Sequence, residues 1–399
     1  MKLEYKIRAP QFSMKTNLAF LVLLYIMIET MEVPYIRRYI WFSGTALFYL
    51  IAATIALIIY AGRGINKYKE IFLFILFLVI LSVSTVFNGG NLIYLIRTLA
   101  PLIVVASMFL YCREEQERRD VINVLVLFYV ILMVIDVTTI LLYPNGLYSD
   151  GLYSTYWFLG YKTQRMVYIF PLLIFWEYKQ QFRKKKQLKS FIILVAIVLF
   201  VLQKTDNMSA ILGVAFFVFM KFIILLVGNQ SRITRSIIYI LTDFRLFLII
   251  YVALFVIFIV YQNMTLISNF LVNILERSVT ISGRTRIWTS CLRYIEAKPL
   301  FGYGILTSDE YIVMTGMRAG TNAHNIVLTY LLSGGIIGTI IFFLINYSIS
   351  KRLDKTPFEL ILIVGIYSIL IVGISSSILA LSPAFWGFYF LLLSERQNK

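Results

Sequence analysis

The chain has 399 residues, of which 60% are hydrophobic and 14% charged, and its mean hydropathy is +0.83. A soluble domain of this size does not have such a composition. Repeated long apolar runs define a polytopic membrane protein, and runs too long for barrel strands make its spans helical, because in lipid each backbone amide needs an internal partner. The net charge of +17 would suggest nucleic acid in a soluble protein, but here it is expected in loops at the membrane surface and excludes a nucleic-acid partner.

In chain order, a basic start (MKLEYKIRAPQFSMK) precedes the first apolar run with no small-residue cleavage site behind it, so that run is expected to be a retained span. Apolar runs then fall near residues 16–31, 41–61, 71–87, 92–112, 121–143, 166–178, 190–203, 208–227, 246–265, 325–347, 358–376 and 381–394. The expected fold is therefore an all-α polytopic membrane protein. It forms a single integral membrane domain over 1–399 with about twelve transmembrane helices and a large, partly helical extracellular loop between the ninth and tenth. With the N-terminus inside, 25 of the 37 Lys and Arg lie in cytoplasmic segments, 11 lie outside and Arg97 falls within a span. That asymmetry puts both termini in the cytoplasm and the protein in the cytoplasmic membrane. Cys112 and Cys291 then sit at opposite faces, so no disulfide framework is available.

Two substantial loops face outward, about 144–165 and 266–324. In the second, Ile267, Phe270, Leu271, Ile274 and Leu275 recur at helical spacing, as for a helix lying on the interface. A further helix is expected to start with Ser282 as N-cap, to bury Ile287, Trp288, Cys291, Leu292 and Ile295, and to stop at Pro299. Gly302 and Gly304 mark a turn. Thr321 or Asn322 is the expected cap of the next span, which places His324 in its first turn. Gly334, Gly335 and Gly338 would let a neighbouring helix approach.

Chemistry has few other places to reside. Arg284, near a helix start, opposes the helix dipole, a conflict that an anion docked on the free N–H groups would relieve. The alternative, a solvated loop arginine, describes Arg286, Arg293 and Arg318. His324 is the sole histidine, and at a helix N-terminus a neutral imidazole able to accept a proton is expected. A histidine that only hydrogen-bonds across an interface is the plainer reading. One histidine and one neighbouring thiol do not assemble a zinc site. Arg97 lies some six residues into the fourth span, facing either a cavity or the outer surface by snorkelling. Asp136, in the fifth span, is either an ionic partner or a packing residue. FLGYKTQR puts Lys162 and Arg165 just before the sixth span, and tyrosines such as Tyr148, Tyr153 and Tyr156 suit either sugar stacking or an interfacial belt. Lys204, Asp206 and Asn207 form a polar turn, with Asp206 either a candidate carboxylate or a turn residue. No P-loop, GxGxxG, HExxH or nucleophile-elbow pattern occurs.

Gly283-Arg284 with Ile287-Trp288, Pro299-Leu300 with Gly302 and Gly304, Ala323-His324-Asn325, and Gly335 with Gly338 together resemble the O-antigen ligase and polymerase family of bacterial membrane glycosyltransferases. YPNGLY and FLGYKTQR are similar to segments of Gram-positive capsular polysaccharide polymerases. Where family members often open the eighth span with Ser-Arg, this chain has Asp206-Asn207-Met208-Ser209. The resemblance implies an oligosaccharide repeat-unit polymerase joining polyprenyl-pyrophosphate-linked units on the outer face of the membrane. A ligase moving finished glycan to another acceptor and a lipid-linked oligosaccharide flippase are the alternatives. It also implies His324 and Arg284 as catalytic residues, Arg284, Arg165 and Arg97 as pyrophosphate ligands, and Asn325, Trp288, Lys162 and Asp206 in support. It implies no cofactor, neither metal nor nucleotide. The partners it implies are the lipid-linked oligosaccharides, membrane lipids, and a chain-length regulator and flippase of the same pathway.

Overall fold

The computed structural model describes residues 18–39, 46–65, 68–149, 155–182, 188–227, 232–260, 284–318, 320–351 and 356–395. The basic start, the interfacial helix expected near 267–275 and the N-cap expected at Ser282 lie outside the described residues. The helices are α1 Leu18–Glu29, α2 Pro34–Arg37, α3 Ala46–Gly62, α4 Lys69–Phe87, α5 Leu92–Tyr111, α6 Glu115–Leu142, α7 Met166–Gln181 and α8 Leu188–Lys204. They continue with α9 Met208–Val227, α10 Arg232–Leu241, α11 Phe244–Phe255 running into a π-helical turn Val256–Val260, and α12 Arg284–Ala297. The last four are α13 Ser308–Thr315, α14 Ile326–Lys351, α15 Pro357–Val372 and α16 Pro383–Ser394. Among the described residues the fold is all-α, as expected, with only isolated bridges such as Tyr148 to Tyr156 outside the helices.

Each of the expected apolar runs coincides with a helix. Among the described residues, five helices are long and apolar enough to cross a membrane, namely α4, α5, α6, α9 and α14. Their ends follow local chemistry. Capping boxes open α6 (Glu114 with Glu117), α13 (Thr307 with Glu310) and α15 (Thr356 with Glu359), and prolines occupy the first turns of α15 and α16. Large apolar side chains such as Ile58, Phe72, Val134 and Leu141 remain exposed on the outside of the bundle, as expected of a surface that meets lipid.

The core is organised on α5, which packs against α1, α3, α4 and α16, while α14 lies along α4. Leu102, Val104, Val105 and Met108 of α5 are fully buried. A smaller apolar cluster sits beside this core. There Ile287, Trp288 and Cys291 of α12 meet Tyr311 and Met314 of α13 and Leu328 and Leu332 of α14. The expected stripe of α12 is therefore the face it buries. Burial of Cys291 pushes its thiol up to about 12, so it behaves as a small apolar side chain.

Candidate active site

α14 is interrupted at Gly335, whose backbone (φ 63°, ψ −164°) lies in a region open essentially to glycine alone. A break of this kind strands backbone groups that lipid cannot satisfy, at several kcal/mol each. The segment after α12 takes them up. Tyr303 and Gly304 donate their N–H groups to the carbonyls of Leu332 (2.6 Å) and Ser333 (3.1 Å), and the carbonyls of Pro299 and Leu300 accept from Ile336 (2.8 Å) and Ile337 (3.2 Å). Contact is so close that a Cβ at Gly335 would overlap the Leu300 carbonyl. The end of α4 holds the same segment from the other side. Ser84 Oγ donates to the Phe301 carbonyl (2.6 Å), and Ile305 N–H donates to Thr85 Oγ1 (2.9 Å). Of the three glycines expected to admit a helix, Gly334 and Gly338 do face α4, through Leu81 and Ile80, but Gly335 admits a loop. The sequence PLFGYG is thus a splice in a broken helix.

The start of α14 also differs from expectation. Its cap is Asn325, whose Oδ1 accepts from Leu328 N–H at 2.9 Å, and not Thr321 or Asn322. His324 precedes the cap in a left-handed conformation (φ 48°), with its N–H donated to Asn322 Oδ1 at 2.8 Å. It therefore lies outside the first turn. The turn is tied on all sides: Trp288 Nε1 donates to the Ala323 carbonyl (3.1 Å), Ser377 Oγ to Asn322 Oδ1 (2.7 Å) and Asn325 Nδ2 to the Ile374 carbonyl (2.9 Å). Trp288 and Asn325 thus fix the residues on either side of His324. His324 is partly exposed while Asn325 is buried, so the imidazole is the accessible member of the motif.

His324 and Arg284, the first described residue of α12, line one cavity of about 830 Å³ together with Lys162, Asp309 and Tyr311. Its remaining wall comes from Tyr94 and Thr98 of α5, from Tyr161 and Gln164, and from Ser377 and Ile378 between α15 and α16. The Tyr94 and Ser377 contributions carried no signal in the sequence, and Asn322 stood out there only as a candidate cap. They are ordinary polar residues at helix ends that become a wall only once the bundle closes.

Arg165 does not line this cavity. It is fully buried in a pair with Asp136, also fully buried, with Nε to Oδ2 at 2.7 Å and Nη2 to Oδ1 at 3.3 Å. Its guanidinium lies over the Trp157 ring at 4.7 Å, and Asp136 Oδ1 also accepts from Leu159 N–H (2.9 Å). From the sequence Arg165 is expected to grip pyrophosphate; here two of its guanidinium nitrogens are paired with a carboxylate, Nη1 is buried without a hydrogen-bond partner, and the whole group is closed off from solvent. What it does is anchor the 156–165 segment, whose Tyr156, Tyr161, Lys162 and Gln164 reach the cavity. Asp206, with φ 49°, is exposed and pairs with Lys162 at 3.3 Å, while Asn207 Nδ2 donates to the Lys162 carbonyl (2.7 Å). Asp206 thus acts on the cavity only through Lys162.

Arg97 lines a second cavity of about 760 Å³ with Glu32, Arg37, Arg38, Tyr49 and Tyr129. Of the two positions open to it, the cavity is the one it takes. Arg37 binds Glu32 at 2.6 Å and Arg97 approaches the same carboxylate at 3.7 Å; Tyr49 donates to it as well. The two cavities share Tyr94, Thr98, Tyr156, Gln164, Ile378 and Leu381 and are therefore contiguous. The helix ends around both are those that loop charge assigns to one face.

Fold and site together define a multi-pass membrane protein with a basic, polar double cavity at one end of an all-α bundle. Residues 193–343 match the family model described as O-antigen ligase, a likeness over about two fifths of the chain that supports the O-antigen ligase/polymerase family of membrane enzymes. The matched span contains α12, His324 and the break in α14 at Gly335, but neither Arg97 nor Arg165. No curated protein and no solved structure matched the chain.

Proposed function

We propose that the chain is a polyprenyl-pyrophosphate-dependent glycosyltransferase, and specifically a polymerase of oligosaccharide repeat units. The observation that carries this reading is the meeting of His324, Arg284 and Lys162 in one cavity, a proton acceptor beside two cations. In the proposed step an acceptor sugar hydroxyl attacks the anomeric carbon of the donor glycan. The bond from that carbon to the pyrophosphate oxygen breaks, its electron pair leaves with the polyprenyl pyrophosphate, and the hydroxyl proton passes to the imidazole of His324. Arg284, with its planar fork, and Lys162 offset the charge that grows on the leaving group. The donor is already activated, so this reading needs neither nucleotide nor metal.

The cavity faces the outer side of the cytoplasmic membrane in this reading, in keeping with the loop charges. Its substrates are lipid-linked oligosaccharides delivered by a flippase, with a chain-length regulator acting on the product. The test is incubation of purified protein with lipid-linked repeat units. A ladder of multiples supports the polymerase. A single transfer to a different acceptor would make the chain a ligase, and passage of carrier across a vesicle without any new glycosidic bond would make it a flippase.

A further inference from the structure

The cations expected to serve one pyrophosphate are divided by the structure. Arg284 and Lys162 line the cavity of His324, whereas Arg97 lines the adjoining cavity with Arg37 and Arg38. The second set runs from the surface inward: Arg37 and Arg38 are exposed at its mouth, Arg97 sits in the sixth position of α5, and the cavity reaches in to Tyr129, midway along α6. Intramembrane arginines are costly and face a partner or a cavity that uses them. Glu32 is the one carboxylate among the residues lining this cavity, and its oxygens already accept from Arg37 and Tyr49. Three guanidinium groups against one carboxylate leave a cationic excess that a dianionic group would balance. The volume falls within the range of about 300–1,000 Å³ usual for ligand clefts.

We propose that the Arg37, Arg38 and Arg97 cavity is a second pyrophosphate site, which holds the carrier of the acceptor substrate while the donor's pyrophosphate lies at Arg284. This rests on the polymerase reading, which requires two lipid-linked substrates at once. A ligase with an unphosphorylated acceptor has no use for it. The acceptor's reacting hydroxyl is at the far end of its glycan from its own pyrophosphate, so the two anion sites must be separate yet open to each other. Tyr94, Tyr156 and Gln164, which border both cavities, form the passage a saccharide would cross. Glu32 then organises the empty site, holding Arg37 against Tyr49 until an anion takes over the guanidinium donors.

The experiment is calorimetric titration of inorganic pyrophosphate into the full-length protein in lipid nanodiscs, without added metal. Wild type is expected to bind two equivalents. Arg97→Gln combined with Arg37→Gln is expected to bind one, Arg284→Gln the other one, and the triple variant none. Arg97→Lys, which keeps the charge, is expected to retain both equivalents with several-fold weaker binding at one, which separates loss of a ligand from loss of the fold. A single equivalent in wild type, abolished by Arg284→Gln, would overturn the second site and leave the transfer cavity intact. Two equivalents with wild-type turnover in Arg284→Gln would instead overturn the transfer reading. Glucuronate displacing pyrophosphate from the Arg284→Gln variant at equal concentration would assign the cations to a sugar carboxylate and contradict the proposal.

Discussion

Two ion clusters lie near one end of the bundle, built from the same side chains and put to different uses. Arg165 and Asp136 are both fully buried, doubly hydrogen-bonded and roofed by Trp157. Arg97, Arg37 and Glu32 share a looser arrangement on a cavity wall, with side chains about a fifth to a half exposed. Burial decides what each can do. The closed pair fixes a segment of chain and keeps even the unpartnered Arg165 Nη1 shut away from solvent, whereas the open cluster presents its donors to a cavity. An arginine beside a membrane span is thus no more a ligand than its surroundings allow.

The comparison breaks most readily at Arg165. Arg165→Leu leaves the Asp136 carboxylate buried without its partner, which costs about 3–5 kcal/mol. Thermal unfolding in detergent should show a large loss, and adding Asp136→Asn should recover most of it. Arg97→Gln, on a solvated wall, should cost about 1 kcal/mol or less. Equal destabilisation by the two single variants would erase the distinction. Gly335→Ala comes next, because its positive φ costs about 1–3 kcal/mol before the overlap with Leu300 is counted. Limited proteolysis of the α12–α14 region should accelerate in that variant, and wild-type protection would show that the splice tolerates a side chain.

Much of this was legible in the sequence, and the remainder has an identifiable physical cause. Apolar runs located the helices, and period 3.6 located the buried face of α12, because both are local properties of the chain. Pro299 and the glycines after it marked a turn correctly. Periodicity says which face is buried but not what it meets across the bundle, so it could not pair Asp136 with Arg165. The cap of α14 was misplaced because Asn322, an equally good capping residue, precedes Asn325. The choice between them falls to the left-handed turn at His324 and its tertiary bonds. Glu32 and Arg37 went unremarked because a short polar stretch between spans looks like any connecting loop. Their meaning depends on α5 bringing Arg97 alongside.

Smaller effects sharpen the same contrast. Arg284→Lys keeps a charge but loses the two-point grip, and turnover should fall on the order of tenfold, in line with about 1.5–3 kcal/mol for a charged contact. Unchanged turnover would return Arg284 to the solvated loop arginines. Cys112 and Cys291 are buried, and the raised Cys291 thiol keeps thiolate scarce below about pH 12, so wild type should resist an impermeant maleimide at pH 8. On that silent background Arg318→Cys should label from outside intact cells and Glu115→Cys should not. The reverse pattern would invert the orientation on which the outer-face reaction depends.

The central claim, that the His324 cavity carries out the transfer, is tested most directly by His324→Gln in the reconstituted polymerisation assay, with carrier binding measured in parallel. Glutamine keeps a hydrogen-bonding side chain but cannot take the acceptor's proton. The account predicts carrier binding within about twofold of wild type and a glycan ladder reduced a hundredfold or more, the scale of general-base catalysis. A full ladder from His324→Gln, with the wild-type dependence on pH, would contradict it.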